Sequence, residues 1–449
     1  MALTGLDIFK LLPKTNCKKC GMPTCLAFAM QLAQKRAELD ACPCVSEEAK
    51  NKLDAAAAPP VKLIKFGSGD AEVQIGQETV LFRHEEKFHN PTILAPTVSD
   101  SLSEAELTKR IEAVNALQFE RVGSHIGAGA VVVVNDSGSD ATFASVAKTL
   151  SQSVKLALIP CSESPSAISA AVAETASLKP LIAAATAENV GEMAAIAKDN
   201  KCPIVAKADS LEALSDLTEK IKSLGVEEIV LSLASETLRA QLYDLARIRV
   251  LALKKAFRSL GYPVLSLATG DTPDQQIASA ASLICKYAGI VVLNTTEPYA
   301  FLPLLTTVMN VYCDPQKPVQ VEPKLYTIGE ATADSPVIFT TNFSLTYYTV
   351  EADVEASRVP CYIIVVDTEG TSVLTAYSGD KLNEKAVADA IKKTGIEDIV
   401  THRKLIIPGY VAVMSGKVEE ATGWDVLVGP RESTMLPKYL KEVWCSSGN

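Results

Sequence analysis

The chain has 449 residues, of which 48% are apolar and 21% charged, and its formal net charge at pH 7 is −10. This length suits two or three domains, and the composition excludes an intrinsically disordered chain. The longest apolar run, nine residues at 126–134, is far shorter than the roughly 20 residues that span a bilayer. Charged residues interrupt the apolar stretch near Met1, which argues against a signal peptide. The sequence therefore predicts a cytoplasmic protein without a membrane partner.

The first 57 residues differ in charge from the rest of the chain. They hold eight Lys/Arg and six Asp/Glu, so a head of charge +2 precedes a body of charge −12. The acidic body contains no run of Lys/Arg, which argues against a nucleic acid partner.

Five of the eleven cysteines lie in this head, between residues 17 and 44. Because the number of cysteines is odd and no export signal is present, they indicate metal ligation in a reducing compartment rather than disulfides. The other six are isolated along the chain, and we expect small buried hydrophobic residues there. They are Cys161, Cys202, Cys285, Cys313, Cys361 and Cys445.

The head cysteines follow the spacing C-x2-C-x4-C-x16-C, which is formed by Cys17, Cys20, Cys25 and Cys42, with Cys44 left over. A loop with three thiolates and a fourth thiolate that arrives after a helix can surround a [4Fe-4S] cluster, since each corner iron takes one thiolate. Structural zinc is the alternative, although a zinc ribbon generally repeats one short cysteine pair twice. We therefore predict a [4Fe-4S] cluster on these four cysteines.

A helix is predicted to follow the cysteine loop. Thr24 is a natural N-cap for a helix over residues 25–39. Leu26, Met30 and Ala33 recur on it at helical spacing and predict one packed stripe. So small a core needs further stabilisation, which a metal cluster would supply.

The head ends in an alanine–proline segment at residues 55–60. Two prolines after an alanine run stop a helix and form a stiff spacer. We therefore predict a cluster domain over residues 1–57, with a domain boundary at this linker.

From residue 61 onward, short β-branched runs alternate with helical stretches. Continuous runs of Val, Ile and Leu indicate strands that are buried on both faces of a parallel sheet. Eight such runs predict a (β/α)8 TIM barrel over residues 58–322, although an open doubly wound sheet has the same local pattern. The runs are centred near Val80, Val131, Leu156, Ile182, Ile204, Ile229, Val264 and Val291.

A smaller α/β pattern restarts after three prolines and predicts a third domain over residues 323–449. Strands that end in Gly/Ser/Thr loops and lead into helices are typical of a doubly wound domain, whose ligand lies at the carboxyl ends of the strands. The fold class is therefore α/β throughout. The predicted strands are residues 336–339, 361–367, 404–407 and 424–428, and the helices are residues 347–357 and 383–393.

Both ends of the sequence resemble one known family. The segment TNCKKCGMPTCLAFAMQLA, followed by ACP, is similar to the cluster domain of the large (gamma) subunit of corrinoid/iron–sulfur proteins, in the acetyl-CoA decarbonylase/synthase complex family of the reductive acetyl-CoA (Wood–Ljungdahl) pathway. A related cysteine spacing occurs in ion-pumping electron-transport subunits, so the head alone does not distinguish the two. The segments IIPGY (406–410), MSGK (414–417) and GWDVLVGPRE (423–432) resemble the corrinoid-binding domain of the same subunit. Head, barrel and tail occur in the order of that family.

The resemblance implies a methyl carrier that holds one [4Fe-4S] cluster and one corrinoid (cobamide). In that family the corrinoid accepts a methyl group from methyl-tetrahydrofolate or a related pterin through a separate methyltransferase, and donates it to acetyl-CoA synthase. The cluster returns cobalt from Co(II) to Co(I) with electrons from a low-potential donor. Because the cobalt cannot face every partner at once, the linker at residues 55–60 is the expected pivot of a mobile head.

The same resemblance implies the partners. A smaller corrinoid/iron–sulfur protein subunit completes a heterodimer, and the methyl-pterin:corrinoid methyltransferase and CO dehydrogenase/acetyl-CoA synthase exchange the methyl group with it. The chain is then a component of a methyltransferase system, and none of its residues is predicted to be catalytic.

The corrinoid is expected to be held by small residues at the strand ends of the third domain. The candidates that the resemblance and their placement together indicate are Thr340, Thr346, Gly370, Thr371, Ser372, Val373 and Leu436. Ordinary helix caps and turns are the alternative interpretation of each. Many corrinoid domains supply a histidine ligand from an Asp-x-His-x-x-Gly loop, and none of the four histidines stands in such a motif. We therefore expect no lower axial ligand from the protein, which makes Co(I) easier to reach.

Other functions are compatible with the sequence. An electron-transfer protein would hold the cluster without a corrinoid, a barrel methyltransferase would bind the pterin itself, and a zinc-stabilised scaffold would hold neither. Polar residues follow several predicted barrel strands, where barrel enzymes place their active residues, but no Ser–His, His–Cys or paired-carboxylate arrangement occurs among them. We therefore interpret the barrel as a docking scaffold. These strand-end residues are Asn135, Asp136, Lys207, Thr269, Gly270, Asp271 and Asn294.

Overall fold

The computed structural model describes residues 5–33, 36–37, 39–46, 49–50, 53, 59–121, 123–235 and 237–444. The chain divides into two compact units, residues 1–119 with 126–313 and residues 120–125 with 314–449. Across the described ranges, no helix is both long and apolar enough to cross a membrane. The predicted domain limits remain predictions, and the linker predicted at residues 55–60 lies mostly outside the described residues.

Two short helices lie within residues 5–33 of the head. Helix α1 (Gly5–Leu11) packs against α2 (Cys25–Ala33), and both contribute to one small apolar core. Thr24 caps α2 as predicted, because its hydroxyl accepts a hydrogen bond from the backbone N–H of Ala27 at 3.1 Å. The predicted extension of this helix to Leu39 is wrong, since a 3-10 turn occupies Leu39–Ala41.

The predicted apolar stripe of α2 is also wrong. Leu26 and Met30 are 39% and 49% exposed, whereas Cys25, Phe28 and Ala29 are buried. Apolar residues surround most of this helix, so spacing alone did not indicate which side faces α1.

The first unit contains a sheet of eight parallel strands. Two short two-stranded sheets also occur among the described residues. The short sheets are formed by β1 (Ile64–Phe66) with β2 (Val73–Ile75), and by β4 (Gln118–Arg121) with β5 (Ser124–Gly127). The parallel strands are β3 (Ile93–Ser99), β6 (Ala130–Val134), β7 (Ala157–Cys161), β8 (Ile182–Ala185), β9 (Ile204–Ala208), β10 (Ile229–Leu233), β11 (Leu265–Leu267) and β12 (Ile290–Leu293).

The eight parallel strands follow one another around a nearly closed ring. Each strand lies beside the next one in the chain, and β12 returns to β3. A bridge between Leu231 and Val264 joins the remaining gap between β10 and β11. The predicted eight-stranded α/β barrel is therefore confirmed as a near-closed parallel barrel.

One of the eight predicted barrel strands is wrong. The run near Val80 forms no strand, and the first barrel strand is β3, which the sequence pattern missed. In strand β3, Ala95 and Pro96 follow the first two apolar residues, and the polar residues Thr97 and Ser99 stand in its second half, so its apolar run is interrupted. The predicted number of eight strands was nevertheless right, because the missed strand β3 takes the place of the strand wrongly predicted near Val80.

A helix follows each barrel strand. Five of these helices begin at a Ser or Thr whose side-chain oxygen accepts a hydrogen bond from a backbone N–H of the first turn, so the sequence marks where each begins. The eight helices are α3 (Glu104–Asn115), α4 (Asp140–Ser153), α5 (Pro165–Thr175), α6 (Val190–Asn200), α7 (Leu211–Ser223), α8 (Leu238–Lys254), α9 (Pro273–Ile284) and α10 (Pro298–Tyr312).

The isolated cysteines are not all buried. Cys202 and Cys361 are buried as expected, and burial raises the pKa of the Cys202 thiol to about 11. The expectation was wrong for three others, of which Cys285 is exposed and two are partly exposed. The two partly exposed thiols are Cys161 and Cys313. Cys445 lies outside the described residues.

The second unit contains a five-stranded mixed sheet in the order β13–β15–β14–β16–β17, with β13 antiparallel at one edge. Its strands are β13 (Leu325–Ile328), β14 (Val337–Thr341), β15 (Cys361–Val366), β16 (Lys404–Ile407) and β17 (Asp425–Val428). Its helices are α11 (Ser344–Ser357), α12 (Val373–Ser378), α13 (Glu384–Thr394), α14 (Ser415–Thr422) and α15 (Leu436–Tyr439). All four predicted strands and both predicted helices are present, and the short edge strand β13 was missed.

Helices cover both faces of this sheet. Successive residues of a strand point to opposite faces, so Phe339 and Ile364 pack with side chains of α13 and α14. Ile338 and Ile363 pack with side chains of α11 and α15 on the other face. The two apolar layers explain why β14 and β15 are continuous hydrophobic runs.

Candidate functional site

Strands β14 and β16 are neighbours in the sheet of the second unit, and the connections that leave them run to opposite sides. Strand β14 is followed by β15 on one side of it, and β16 is followed by β17 on the other side. In open α/β sheets such a switch point leaves a crevice at the carboxyl ends of the strands, where ligands bind. A cavity of about 330 Å³ lies there, within the size range of small-molecule sites.

Five of the seven predicted corrinoid-binding residues line this cavity. They come from the end of β14, the first turn of α11, the start of α12 and the start of α15. These five are Thr340, Thr346, Ser372, Val373 and Leu436. Gly370 and Thr371 are not among the lining residues and form the turn that precedes α12.

The cavity has apolar walls and one buried polar group without a partner. Ile338 and Phe339 of β14 line it together with Ile406 and Ile407 of β16. Thr340 is only 1% exposed, and its hydroxyl has no hydrogen-bond partner within the described part of the chain. A buried hydroxyl without a partner costs about 1–3 kcal/mol, so a ligand that bonds to it would remove this cost.

Two loops that follow β16 and β17 also line the cavity. Tyr410 in the first loop donates a hydrogen bond to the carboxylate of Glu432 in the second. This bond raises the pKa of Tyr410 above its ordinary value. The backbone N–H of Gly409 donates to the carbonyl oxygen of Pro430 at 3.1 Å. Sequence analysis named none of these as site residues, although Gly and Pro after both strands were the available signal.

The predicted cluster ligands all lie in the described part of the head. Cys25 and Cys42 are 6% and 7% exposed, Cys20 is partly buried and Cys17 is exposed. The Sγ atom of Cys17 lies 3.8 Å from that of Cys44. Among the residues that the structure describes, no three His, Cys, Asp or Glu side chains are grouped as a metal ion requires.

The two thiols of the Cys17–Cys44 pair differ in acidity. A backbone hydrogen bond from Lys19 and a side-chain bond with Thr15 lower the pKa of Cys17. The hydrogen bond with Cys17 raises the pKa of Cys44. Cys17 is therefore the thiol of this pair that ionises first.

Comparison with known proteins gives the family. Residues 63–440 match a family model described as "CO dehydrogenase/acetyl-CoA synthase delta subunit", and residues 12–44 match one described as "Putative Fe-S cluster". The chain is 46% identical over 442 residues to the corrinoid/iron–sulfur protein large subunit of Moorella thermoacetica, an alignment that covers 98% of this chain and 99% of the relative. The chain belongs to this family.

A second relative agrees with this membership. The chain is 40% identical over 456 residues to the gamma subunit of the acetyl-CoA decarbonylase/synthase complex of Methanothermobacter thermautotrophicus, with 99% of both chains covered. Membership in the corrinoid/iron–sulfur protein family confirms the predicted function, that of a methyl carrier of the acetyl-CoA pathway. Dihydropteroate synthase of Vibrio fischeri ES114 matches 55% of this chain and 97% of its own at 11% identity and a TM-score of 0.39. The barrel assignment rests on the strand order and not on this likeness.

In this member of the corrinoid/iron–sulfur protein family, none of the histidines lines the cavity of the second unit. His402 precedes β16 and so lies at the opposite end of that strand from the cavity. Its Nε2 lies 2.9 Å from the carbonyl oxygen of Ser335, and its Nδ1 accepts from the backbone N–H of Lys404 at 3.2 Å. Its ring packs edge-on against Trp424 and Trp444, so its contacts are those of a structural residue.

Several polar residues at the carboxyl ends of the barrel strands bond to one another. Asn135 Nδ2 donates to the hydroxyl of Ser162 at 3.0 Å. Lys207 Nζ donates to a carboxylate oxygen of Glu163 at 2.7 Å. The first contact connects the ends of the neighbouring strands β6 and β7, and the second connects β9 to the segment after β7. Both agree with the interpretation of the barrel as a scaffold, which remains a prediction.

Proposed function

We propose that the second unit holds a corrinoid in the cavity at the carboxyl ends of β14 and β16, and that the chain carries its methyl group on this cofactor. The observation that supports this most is the buried hydroxyl of Thr340, a residue that lines the cavity, because this hydroxyl has no partner among the described residues. A corrinoid carries amide side chains and a polar tail, which offer the donors and acceptors that such a hydroxyl lacks.

The residues around the cavity have different tasks in this proposal. Thr340 and Thr346 offer hydroxyl groups to the cofactor, while Ile338 and Ile406 exclude water from its buried part. Leu436 adds apolar contact at the start of α15. When bound, the corrinoid supplies a metal centre that accepts and releases a methyl group.

The turn before α12 completes the proposed site. Ser372 and Val373 contribute side chains to the cavity wall, and Gly370 and Thr371 form the turn that leads to them. We assign the first two to contact with the cofactor and the last two to the shape of the turn.

We expect the protein to supply no lower axial ligand. No histidine is found among the described residues that line the cavity, and His402 is engaged by other groups at the far end of β16. Without a strong donor from the protein, a bound corrinoid would reach its low-valent state more easily. The family's need for a strongly nucleophilic metal centre agrees with this arrangement.

The [4Fe-4S] cluster belongs, in this proposal, to the thiolates of Cys17, Cys20, Cys25 and Cys42. Their spacing and the match of residues 12–44 to an iron–sulfur family model support it. Cys44, at 3.8 Å from Cys17, is the other thiol near the ligand set. Four thiolates satisfy the corner irons of a cubane, and such a cluster supplies single electrons at low potential.

The partners follow from the same proposal. A smaller subunit pairs with this chain and covers the exposed face of the corrinoid, while a methyl-pterin:corrinoid methyltransferase and the CO dehydrogenase/acetyl-CoA synthase exchange the methyl group with it. The relative from Methanothermobacter thermautotrophicus is named as a subunit of a complex, which supports an assembly of this kind. Electrons come from a low-potential donor.

The experiment that tests the proposal is a measurement of iron, cobalt and zinc per chain. The full chain is produced anaerobically together with its smaller subunit, because a corrinoid held between two subunits can be lost from one alone. About four irons and one cobalt are expected. Iron without cobalt would contradict the corrinoid assignment and favour an electron-transfer protein, and zinc alone would contradict the cluster.

A further inference from the structure

A buried asparagine joins three segments of the second unit beside the corrinoid cavity. Asn342 directly follows β14 and is 0% exposed. Its backbone N–H donates to the carbonyl oxygen of Val366, at the end of β15, at 3.0 Å. Its carbonyl oxygen accepts from the backbone N–H of Val321 at 2.9 Å. Asn342 therefore connects the end of β14 to β15 and to the segment that precedes β13.

The side-chain amide of Asn342 uses its acceptor and both of its donors. Its Oδ1 accepts from the backbone N–H and the hydroxyl of Thr368 at 2.9 and 3.0 Å, and from the backbone N–H of Gly370 at 2.9 Å. Its Nδ2 donates to Asp367 Oδ1 at 3.0 Å and to Gln320 Oε1 at 3.2 Å. Aspartate has the same shape but no donor when ionised, so the network is specific for an amide.

The turn that Asn342 holds has little freedom to move. Gly370 has a φ of +73°, and a Cβ atom there would lie 2.6 Å from Cγ of Gln320. The turn is therefore packed against the segment that Asn342 also binds. Only glycine fits this conformation and this contact without strain.

The same turn leads directly to the cavity wall. The hydroxyl of Thr371 donates to the carbonyl oxygen of Thr368 at 2.7 Å, and the hydroxyl of Thr368 donates to the carbonyl oxygen of Thr371 at 2.9 Å. Ser372 and Val373 follow immediately and line the cavity. A shift of the turn would therefore shift both lining residues.

We infer that Asn342 is a positioning residue of the corrinoid site: its amide sets the turn at residues 367–371 and thereby the places of Ser372 and Val373 on the cavity wall. Asn342 does not line the cavity itself, so it acts through the turn. The inference rests on the proposed function, because it concerns the same cavity.

Asn342→Asp tests this inference. The substitution keeps the shape of the side chain but places a carboxylate oxygen opposite Asp367 Oδ1, where the amide now donates at 3.0 Å. When both carboxylates are ionised, they repel each other at this distance and the turn is displaced. The full chain with its smaller subunit, freed of corrinoid, is titrated with hydroxocobalamin, and the Kd is read from the visible spectrum. We expect the Kd to rise by about tenfold or more.

Asn383→Ala is the matched control. Asn383 caps α13 of the same unit, where its Oδ1 accepts from the backbone N–H of Ala386 at 2.9 Å, and it is not a lining residue of the cavity. Its loss lowers the stability of the unit without touching the turn. With both variants held well below their Tm, the Kd of Asn383→Ala should stay within about twofold of the unsubstituted chain.

A double variant separates positioning from a general loss of stability. Adding Asp367→Asn to Asn342→Asp exchanges the amide and the carboxylate, so that a donor again faces an acceptor. We expect a partial return of affinity, since Asp367 Oδ1 also accepts from the backbone N–H of Glu369 at 3.1 Å. A nonspecific structural defect would not be corrected by this exchange.

Thr368→Val provides a second probe if Asn342→Asp does not fold. It removes the hydroxyl that bonds to Asn342 Oδ1 and to the carbonyl oxygen of Thr371, while the shape of the side chain is kept. We expect a rise in Kd of about threefold. An unchanged Kd in a folded Asn342→Asp or, failing that, in Thr368→Val overturns the inference. If the unsubstituted chain itself binds no hydroxocobalamin, this result contradicts the proposed function, and the inference that rests on it is contradicted as well.

Discussion

Gly409 and Gly429 approach each other so closely that a Cβ atom on Gly409 would lie 2.5 Å from the carbonyl oxygen of Gly429. Gly409 is the second residue after β16 and Gly429 is the first residue after β17, and residues of both connecting segments line the cavity of the second unit. The loops therefore touch through their backbones, and the width of the cavity depends on the absence of side chains at this point.

Gly409→Ala should therefore disturb the proposed corrinoid site. The added methyl group meets backbone atoms that cannot rotate away, so the loops must separate, at a cost of about 1–3 kcal/mol in the free energy of unfolding. We expect weaker binding of hydroxocobalamin together with a lower Tm. Spectroscopic titration and thermal unfolding of the same sample measure both.

Gly416→Ala is the control for this substitution. Gly416 lies in α14, and a Cβ atom there would meet nothing within 4 Å. Alanine should stabilise the helix by about 0.5–1 kcal/mol and leave corrinoid binding unchanged. Equal effects of the two substitutions on binding would contradict the role that we give to the Gly409–Gly429 contact.

Thr340→Val should have opposite effects on stability and on binding. The Thr340 hydroxyl is buried without a partner among the described residues, so its removal should stabilise the corrinoid-free chain by about 1 kcal/mol. The same change removes the group that we assign to the cofactor, and the Kd for hydroxocobalamin should rise by about tenfold. Chemical unfolding and titration give the two values.

Thr341→Val separates the two effects. The Thr341 hydroxyl is also buried and without a partner in the described structure, but Thr341 does not line the cavity. We expect a similar gain in stability with no change in Kd. A loss of affinity in both variants would argue against a specific contact of Thr340.

Alanine substitutions in the head should identify the fourth cluster ligand. If Cys42 is that ligand, Cys42→Ala lowers the iron content and Cys44→Ala leaves about four irons per chain. Cys17 and Cys44 are 3.8 Å apart, which makes Cys44 the matched control for a neighbouring thiol that is not a ligand. Iron analysis after anaerobic purification identifies the ligand. Loss of iron in Cys44→Ala but not in Cys42→Ala would assign the fourth position to Cys44.

The barrel unit should lose stability above about pH 10 because of buried tyrosine. Burial raises the pKa of Tyr262 to about 12, whereas the ordinary value in an unfolded chain is about 10. Since the folded pKa is the higher one, the contribution of neutral Tyr262 is fully present below about pH 10 and is lost as the pH rises through about 12.

Tyr262→Phe tests this assignment. The variant keeps the ring but cannot ionise. The difference between its Tm and that of the unsubstituted chain should therefore increase in favour of the variant between about pH 9 and pH 11.5. Thermal unfolding followed by circular dichroism measures the difference. A difference that is constant over this range would show that Tyr262 does not couple to folding.

Local patterns in the sequence predicted much of this fold. The four parallel strands of the second unit were found because each is a short run of Val, Ile and Leu that ends in a polar loop. The barrel strand β3 was missed because Pro96 interrupts its pattern. The stripe on α2 was misplaced because the buried face of a mostly apolar helix depends on its neighbour.

In the candidate site, too, local sequence patterns indicated some residues, and only tertiary contacts indicated others. Thr340, Thr346 and Leu436 were named from the resemblance and their places beside strand ends, and the structure brings them to one cavity. Asn342 was not among the residues named from the sequence. Its importance comes from bonds to Thr368 and Gly370, and no local pattern reports such contacts.

The sequence by itself determined the cysteine spacing of the head, the succession of strands and helices, and the family, since these depend on residues that are near one another in the chain or on motifs read in order. Only the tertiary structure decided which buried hydroxyl lacks a partner, which glycines touch and which amide holds the turn. Those properties depend on contacts between distant residues, such as Asn342 with Gly370, 28 positions apart, and such contacts exist only once the sheet has brought the strand ends together.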